Sequence, residues 1–273
     1  MSILVAEIGW NFIGDTNLAK KMILSAKKNG ADFVKFQIWD PKFLKSGPWD
    51  KDGRRKIYEK AVLNEKKYNE LKEFSKLNNI KCFASAFNLE GALFLKKTKD
   101  QWIKIPSHEA YNFRLIKYAL KNFKKIIISA GCLKESELEK LIKFLKSKKN
   151  YLKKTLLLHC VSSYPLLAEN CNFTKFHFIK EKMGKVGYSG HYHGIEDAAY
   201  AIFNGSEIIE KHFTINNNLP GRDNKFALNP KQFLKLKEIN ELNKKFNYSK
   251  GLGLQKCEQD IFKNYRGRWS KKN

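Results

Sequence analysis

Eight short apolar runs recur along the chain: ILVAEIG (3–9), DFVKFQ (32–37), KCFASAF (81–87), WIKIPS (102–107), KIIISA (125–130), TLLLHC (155–160), KVGYSG (185–190) and SEIIEKHFT (206–214). Most are nearly continuous in β-branched, aromatic or aliphatic residues, the pattern of strands covered on both faces. Between most of them lie segments with helical spacing. In the first, Leu18, Met22, Ile23 and Ala26 form one stripe, Asp15 or Thr16 can cap the start, and Gly30 can end it. Residues 64–79, 135–147, 195–205 and 229–246 follow the same pattern. Alternating strands and helices predict a parallel sheet, and eight repeats in about 250 residues match a closed α/β architecture, the (β/α)8 TIM barrel. An open doubly wound sheet would need a Gly-rich phosphate turn after its first strand, and EIGWNFIGD is not G-x-G-x-x-G. The expectation is a single barrel domain over 1–273. A long insertion at 38–62 would serve as a lid or a partner surface, and a basic, irregular tail would occupy 251–273.

Charge and cysteine content narrow the class of function. The net charge is +26, yet only six of the 53 basic residues are arginine: Arg54, Arg55, Arg114, Arg222, Arg266 and Arg268. The lysines fall between apolar helical positions, as in LAKKMILSAKKNG, which is the pattern of solvated outer faces. Guanidinium forks suited to phosphates and base edges are scarce, so no nucleic-acid partner is expected. The charge would instead help attract a small anionic substrate. Five cysteines, an odd number with no C-x-x-C spacing, point to reduced thiols and a cytoplasmic location. The opening MSILVAEIGW has no basic leader, and no apolar run is long enough to span a bilayer, so no membrane association is expected.

The C-terminal ends of the predicted strands carry the chemistry. They present Glu7; Lys35 and Gln37; Ser85; Lys104, Ser107 and Glu109; Ser129; His159, Ser162 and Tyr164; Ser189 and His191; and Glu210 and His212. In a parallel barrel all these ends open on one mouth, where active sites of this architecture lie. His191 and His212 sit on adjacent strands and can share one divalent cation, leaving other positions to water or substrate. Hydrogen-bonded structural histidines are the alternative. His193 falls in a loop, and His108 and His177 read as structural or exposed. Lys35 and Lys104 are cations inside an otherwise apolar barrel. They need anionic partners, either a phosphate or carboxylate ligand or the structural carboxylates Glu7, Glu109 and Glu210.

At these residues the chain resembles the sialic acid synthase family, which makes nonulosonic acids. The matching segments are AEIGWNFIGD, GADFVKFQ, KIPSHE, IISAGC, LLHCVSSYP, GYSGHYHGIEDAA, EKHFT and LPGRD, in order from residue 6 to about residue 230. The resemblance implies a (β/α)8 barrel that condenses phosphoenolpyruvate with an N-acylated hexosamine-type aldose such as N-acetylmannosamine, using manganese or magnesium. It implies that His191 and His212 hold the metal, and that Lys35, Lys104, Ser107, Ser129, Ser162, Tyr164 and Ser189 contact phosphoenolpyruvate. Glu7, Gln37, Ser85, Glu109 and Asp223 would surround the metal water and the sugar. Within that set Glu109 is the first choice for handling the protons of the attacking water, with Glu7 orienting the sugar or the metal water.

The chain departs from the family in having Gly190 where the family has Asp, and Ala130 and Ala227 where it has Thr and Ser. The family also carries a C-terminal antifreeze-like domain that lends an arginine to a partner subunit's sugar site. This chain ends near where that domain would begin, so the domain is expected to be absent. Its role would fall to a homodimer arrangement, to a separate antifreeze-like chain, or to arginines of the tail (Arg266, Arg268) or the insertion (Arg54, Arg55). A non-catalytic or partner-dependent barrel, and a sibling synthase acting on a phosphorylated aldose, are the alternative functions.

Overall fold

Each of the eight apolar runs forms a strand in the computed structural model, which describes residues 1–269. The strands are β1 (Ile3–Glu7), β2 (Phe33–Ile38), β3 (Lys81–Ala86), β4 (Trp102–Ile105), β5 (Lys125–Ser129), β6 (Thr155–Cys160), β7 (Gly187–Gly190) and β8 (Ile208–His212). They pair in parallel in chain order, and β8 pairs with β1 to close a (β/α)8 TIM barrel. The helix Thr16–Lys28 buries Ala19, Met22, Ile23 and Ala26 against it, with the Asp15 carboxylate accepting from the Asn17 and Leu18 N–H groups. Helices Leu89–Lys97, Phe113–Asn122 and Phe173–Met183 also belong to the outer ring. The first two are capped by Asn88 and Asn112. Among the described residues no helix is long and apolar enough to cross a membrane.

The interior of the barrel is layered. Val5, Phe33, Phe83, Ile127, Leu156, Leu158 and Ile208 point inward and plug its lower half. A Cβ on Gly187 would overlap Leu158 Cδ2 and lie 3.2 Å from the Ile208 carbonyl oxygen, so the glycine lets Leu158 fill the axis. Side chains alternate along a strand, so the next inward position is two residues on. There the layer becomes Glu7, Lys35, Ser85, Lys104, Ser129, Cys160, Ser189 and Glu210, all buried. One step along the axis thus turns an oily plug into a polar floor.

The insertion at 38–62 folds into 3-10 turns at Pro41–Phe43 and Pro48–Asp50 and a short helix at Arg54–Lys60. Arg54 and Arg55 are held by Asp52 and Asp50 within it. Of the tail, residues 251–269 are mostly exposed and carry one short helix, Gln259–Asn264. Residues 270–273 lie outside the described residues.

Candidate active site

The polar floor opens into a cavity of about 210 Å³ at the C-terminal ends of the strands. Its charges are paired. Lys35 contacts the Glu7 carboxylate, donates to Ser85 Oγ at 2.8 Å, and lies 3.7 Å from Glu210 Oε1. Lys104 donates to both Glu210 oxygens at 2.8 Å, and Ser189 Oγ donates to Glu210 Oε1 at 3.1 Å. Burial opposes ionisation of Glu210, but Lys104 and Lys35 outweigh it and hold the carboxyl down at about 2. Burial, reinforced by Lys104, pulls the Lys35 ammonium down to about 7 against the attraction of Glu210. The two lysines therefore have protein carboxylates as partners, and they do not by themselves demand an anionic ligand. Gln37 Nε2 donates to Glu7 Oε1 at 3.2 Å from the next layer up.

His191 and His212 face each other with ring centroids 5.6 Å apart. His191 Nδ1 lies 2.8 Å from the Val161 carbonyl oxygen, which fixes the proton there and leaves Nε2 with its lone pair. His212 Nδ1 is buried without a hydrogen-bond partner, 3.8 Å from Asp223 Oδ2. Burial drives the His191 pKa down to about 4, and burial together with His191 drives His212 well below the usual range. Both rings are thus neutral, the state that ligates metal. Among the described residues no cluster of three or more His, Cys, Asp or Glu side chains is placed to hold an ion. The two imidazoles fit a divalent cation that takes its remaining ligands from water or substrate.

A second feature lies between β4, β5 and β6. A Cβ on Gly131 would sit 2.7 Å from Ser107 Oγ and 2.8 Å from Ser162 Oγ. The two hydroxyls thus converge on a space that only glycine leaves open. Ser162 Oγ and Gln37 Oε1 join His212 Nδ1 as buried atoms with no partner inside the protein. Buried polar atoms are usually paired, and these three are open to a bound molecule or to water. Tyr164 packs on His191 at 4.2 Å, and the Arg222 guanidinium lies over the Tyr164 face at 4.7 Å. Arg222 Nε also donates to Asp223 Oδ1 at 3.3 Å. Burial raises the Asp223 carboxyl, with Arg222 opposing.

Of the residues singled out in the sequence, Glu7, Lys35, Gln37, Ser85, Lys104, Ser107, Ser129, Tyr164, Ser189, His191, His212 and Asp223 line this cavity. Ser162 stands beside it at Gly131. Glu109 is not in the lining. The chain turns through a 3-10 segment at Ser107–Glu109. The Asn112 amide donates to Glu109 Oε2 at 2.8 Å there.

His159 also differs from expectation. It follows the inward Leu158, so it points out of the barrel, where its Nε2 bonds the Cys171 carbonyl and its ring packs among Phe173, Phe176 and Tyr188. The inward residue is Cys160, which the sequence reading passed over. Strand parity alone locates it, since Leu156, Leu158 and Cys160 share one face. His108 is exposed as expected, yet it lines the cavity. The arginine at the mouth is Arg222, rather than one from the insertion or the tail.

The Gly190 departure has a physical account. A Cβ there would overlap Asp197 Oδ2 and lie 2.6 Å from Tyr188 Cε1. Asp197 accepts from Lys211 Nζ at 2.9 Å and from Tyr188 Oη at 3.0 Å. Its carboxylate thus occupies the space that a side chain at 190 would need.

The model of the NeuB family matches residues 22–250. The chain is 33% identical to N,N'-diacetyllegionaminic acid synthase of Campylobacter jejuni, over 96% of this chain and 81% of that one. It is 33% identical to pseudaminic acid synthase of the same organism, over 84% of this chain and 70% of that one. The crystal structure of N-acetylneuraminic acid synthetase from Leptospira borgpetersenii, in complex with citrate, superposes with a TM-score of 0.85 at 32% identity, covering 99% of this chain and 93% of that one.

Proposed function

This chain belongs to the NeuB family, and from that premise we propose that it joins phosphoenolpyruvate to the aldehyde carbon of an N-acylated hexosamine-type aldose, giving a nonulosonic acid and inorganic phosphate. At the coarser level it is a phosphoenolpyruvate-dependent sugar-acid synthase, a transferase that forms a carbon–carbon bond. The observation that carries the finer reading is the trio of buried, unpartnered atoms, Ser162 Oγ, Gln37 Oε1 and His212 Nδ1, around one cavity.

Phosphoenolpyruvate is assigned to the floor. Lys35 and Lys104 supply cations, and Ser107 and Ser162 offer hydroxyls across the gap at Gly131. Ser129 and Ser189 complete the floor. This holds the reacting carbon before the second substrate arrives. The aldose lies above, between Gln37, Tyr164 and Asp223. Carbon 3 of phosphoenolpyruvate attacks the aldehyde carbon, and the aldehyde oxygen takes up a proton. Water adds at carbon 2 and gives up a proton, and the tetrahedral intermediate loses phosphate by C–O cleavage. Glu109, whose carboxyl is raised by burial, is assigned the protons of the attacking water, and Glu7, in contact with Lys35, is assigned to orient the sugar or the metal water. His191 and His212 are assigned a manganese or magnesium ion, which would supply Lewis acidity toward the aldose carbonyl. A buried carboxylate, Asp197, fills the space left by Gly190, so that departure does not favour a non-catalytic barrel.

The deciding experiment is phosphate release from phosphoenolpyruvate with a panel of N-acylated hexosamines, with and without manganese. Release that requires both aldose and metal is expected. No release with any aldose in the presence of metal would overturn the reading.

A further inference from the structure

Five rings form a continuous arc on the β1–β4 side of the mouth. Tyr58 packs on Trp10 at 4.6 Å, Trp10 meets Trp39 edge-on at 5.6 Å, Trp39 meets Phe87 at 5.8 Å, and Phe87 meets His108 edge-on at 4.9 Å. Tyr58 comes from the insertion helix Arg54–Lys60, and the others come from the segments following β1 to β4. Trp10, Phe87 and His108 turn toward the cavity and line it. None of the three is fully buried, so they leave aromatic surface facing the space above the floor.

The charge inventory restricts what this surface can receive. Three basic side chains line the cavity, and each faces a carboxylate: Lys35 with Glu7, Lys104 with Glu210, and Arg222 with Asp223. Phosphoenolpyruvate brings a phosphate and a carboxylate, which suit the two lysines. A second phosphoryl group would find no uncommitted lysine or arginine among the lining residues, and phosphate sites depend on such groups. Aromatic faces instead accept C–H edges and methyl groups, the usual use of rings in small-molecule sites.

We propose that Trp10, Phe87 and His108 are specificity-determining residues that hold the aldose by an apolar face, its C–H edge and N-acyl methyl, and so select an unphosphorylated aldose over a phosphorylated one. The proposal rests on the phosphoenolpyruvate reading above and adds to it the recognition of the second substrate. The arc also gives the insertion at 38–62 a role, because Tyr58 backs the Trp10 ring.

The test compares N-acetylmannosamine with its 6-phosphate on the full chain, by steady-state kinetics and by saturation-transfer NMR of the bound aldose. Trp10→Ala and Phe87→Ala should each raise the aldose KM by about tenfold, with the phosphoenolpyruvate KM unchanged and Trp10→Phe close to the parent. Saturation should reach the acetyl methyl of N-acetylmannosamine and be lost in both alanine variants. Equal or better use of the 6-phosphate would overturn the proposal, as would an unchanged aldose KM and saturation pattern in both alanine variants. The two readings separate. Methyl saturation lost in the variants, without phosphate release by the parent, supports the aromatic wall and removes the reaction. Phosphate release that prefers the 6-phosphate keeps the reaction and removes the wall.

Discussion

Gly131→Ala is a one-methyl test of where phosphoenolpyruvate places an oxyanion. Gly131 is buried and is not among the glycines with positive φ, so alanine brings no backbone strain. On backbone grounds the change should even stabilise the fold by about 0.4–1 kcal/mol, by narrowing the unfolded ensemble. The methyl would stand 2.7 Å from Ser107 Oγ, 2.8 Å from Ser162 Oγ and 3.0 Å from Ser107 Cβ. It would fill the space on which the two hydroxyls converge, and they could yield only by rotating away. Each hydrogen bond to a charged oxygen is worth about 1.5–3 kcal/mol. Losing both therefore removes at least about 3 kcal/mol, a weakening of Kd by roughly a hundredfold or more. Isothermal calorimetry with phosphoenolpyruvate measures the affinity, and a parallel thermal melt checks that the fold is intact. A Kd within about threefold of the parent, with an unchanged melt, would show that no phosphoenolpyruvate oxygen lies between Ser107 and Ser162.

Other sites give equally direct readouts. His212→Ala should abolish manganese uptake by the purified protein, measured as bound metal after gel filtration, while the circular dichroism spectrum stays unchanged; retained stoichiometry would remove His212 as a ligand. Lys211→Met leaves Asp197 buried without its cation and should cost about 3–5 kcal/mol, lowering Tm by roughly 10 °C. A melt within about 2 °C of the parent would show that the pair does not staple β8 to the helix that follows β7. His159 has a folded pKa of about 4, lowered by burial from the usual 6.5. Its folded pKa is depressed, so its contribution is fully present above pH 6.5 and is lost as pH falls toward 4. The loss is about 2 kcal/mol by pH 5. His159→Gln should flatten the dependence of denaturation midpoint on pH between 6.5 and 4, and an unchanged slope would assign the acid sensitivity elsewhere.

The barrel is legible in the sequence because burial on both faces leaves little freedom. Runs such as KIIISA and TLLLHC have no solvent side to soften the pattern, and each became a strand within a residue or two of its expected limits. Site residues were legible where they lay on the strands themselves, since parity fixes direction. Applied strictly, parity would also have rejected His159 and found Cys160. It stops working beyond the strand ends. Glu109 lies in the 3-10 turn after β4, where strand parity no longer gives a direction. Trp10, Phe87 and Arg222 gave no periodic signal, because their place at the mouth depends on how separate loops meet.

The same layering explains why this barrel keeps a costly floor. Desolvating Glu7, Lys35, Lys104 and Glu210 is expensive, and an apolar set of similar volume would often leave a protein as stable or more so. The paired arrangement is therefore better understood as preorganisation than as a source of stability. Each lysine is held in place before ligand arrives, by Glu7 and Ser85 for Lys35 and by Glu210 for Lys104. Because the carboxylates offset the floor's cations, an incoming anion is not trapped by unopposed charge, and groups that remain unpaired add to the hold of the two lysines. Those groups are Ser162 Oγ and Gln37 Oε1, with His212 Nδ1 on the metal side. The floor thus satisfies its charges internally and leaves neutral hydrogen-bonding atoms open to a ligand.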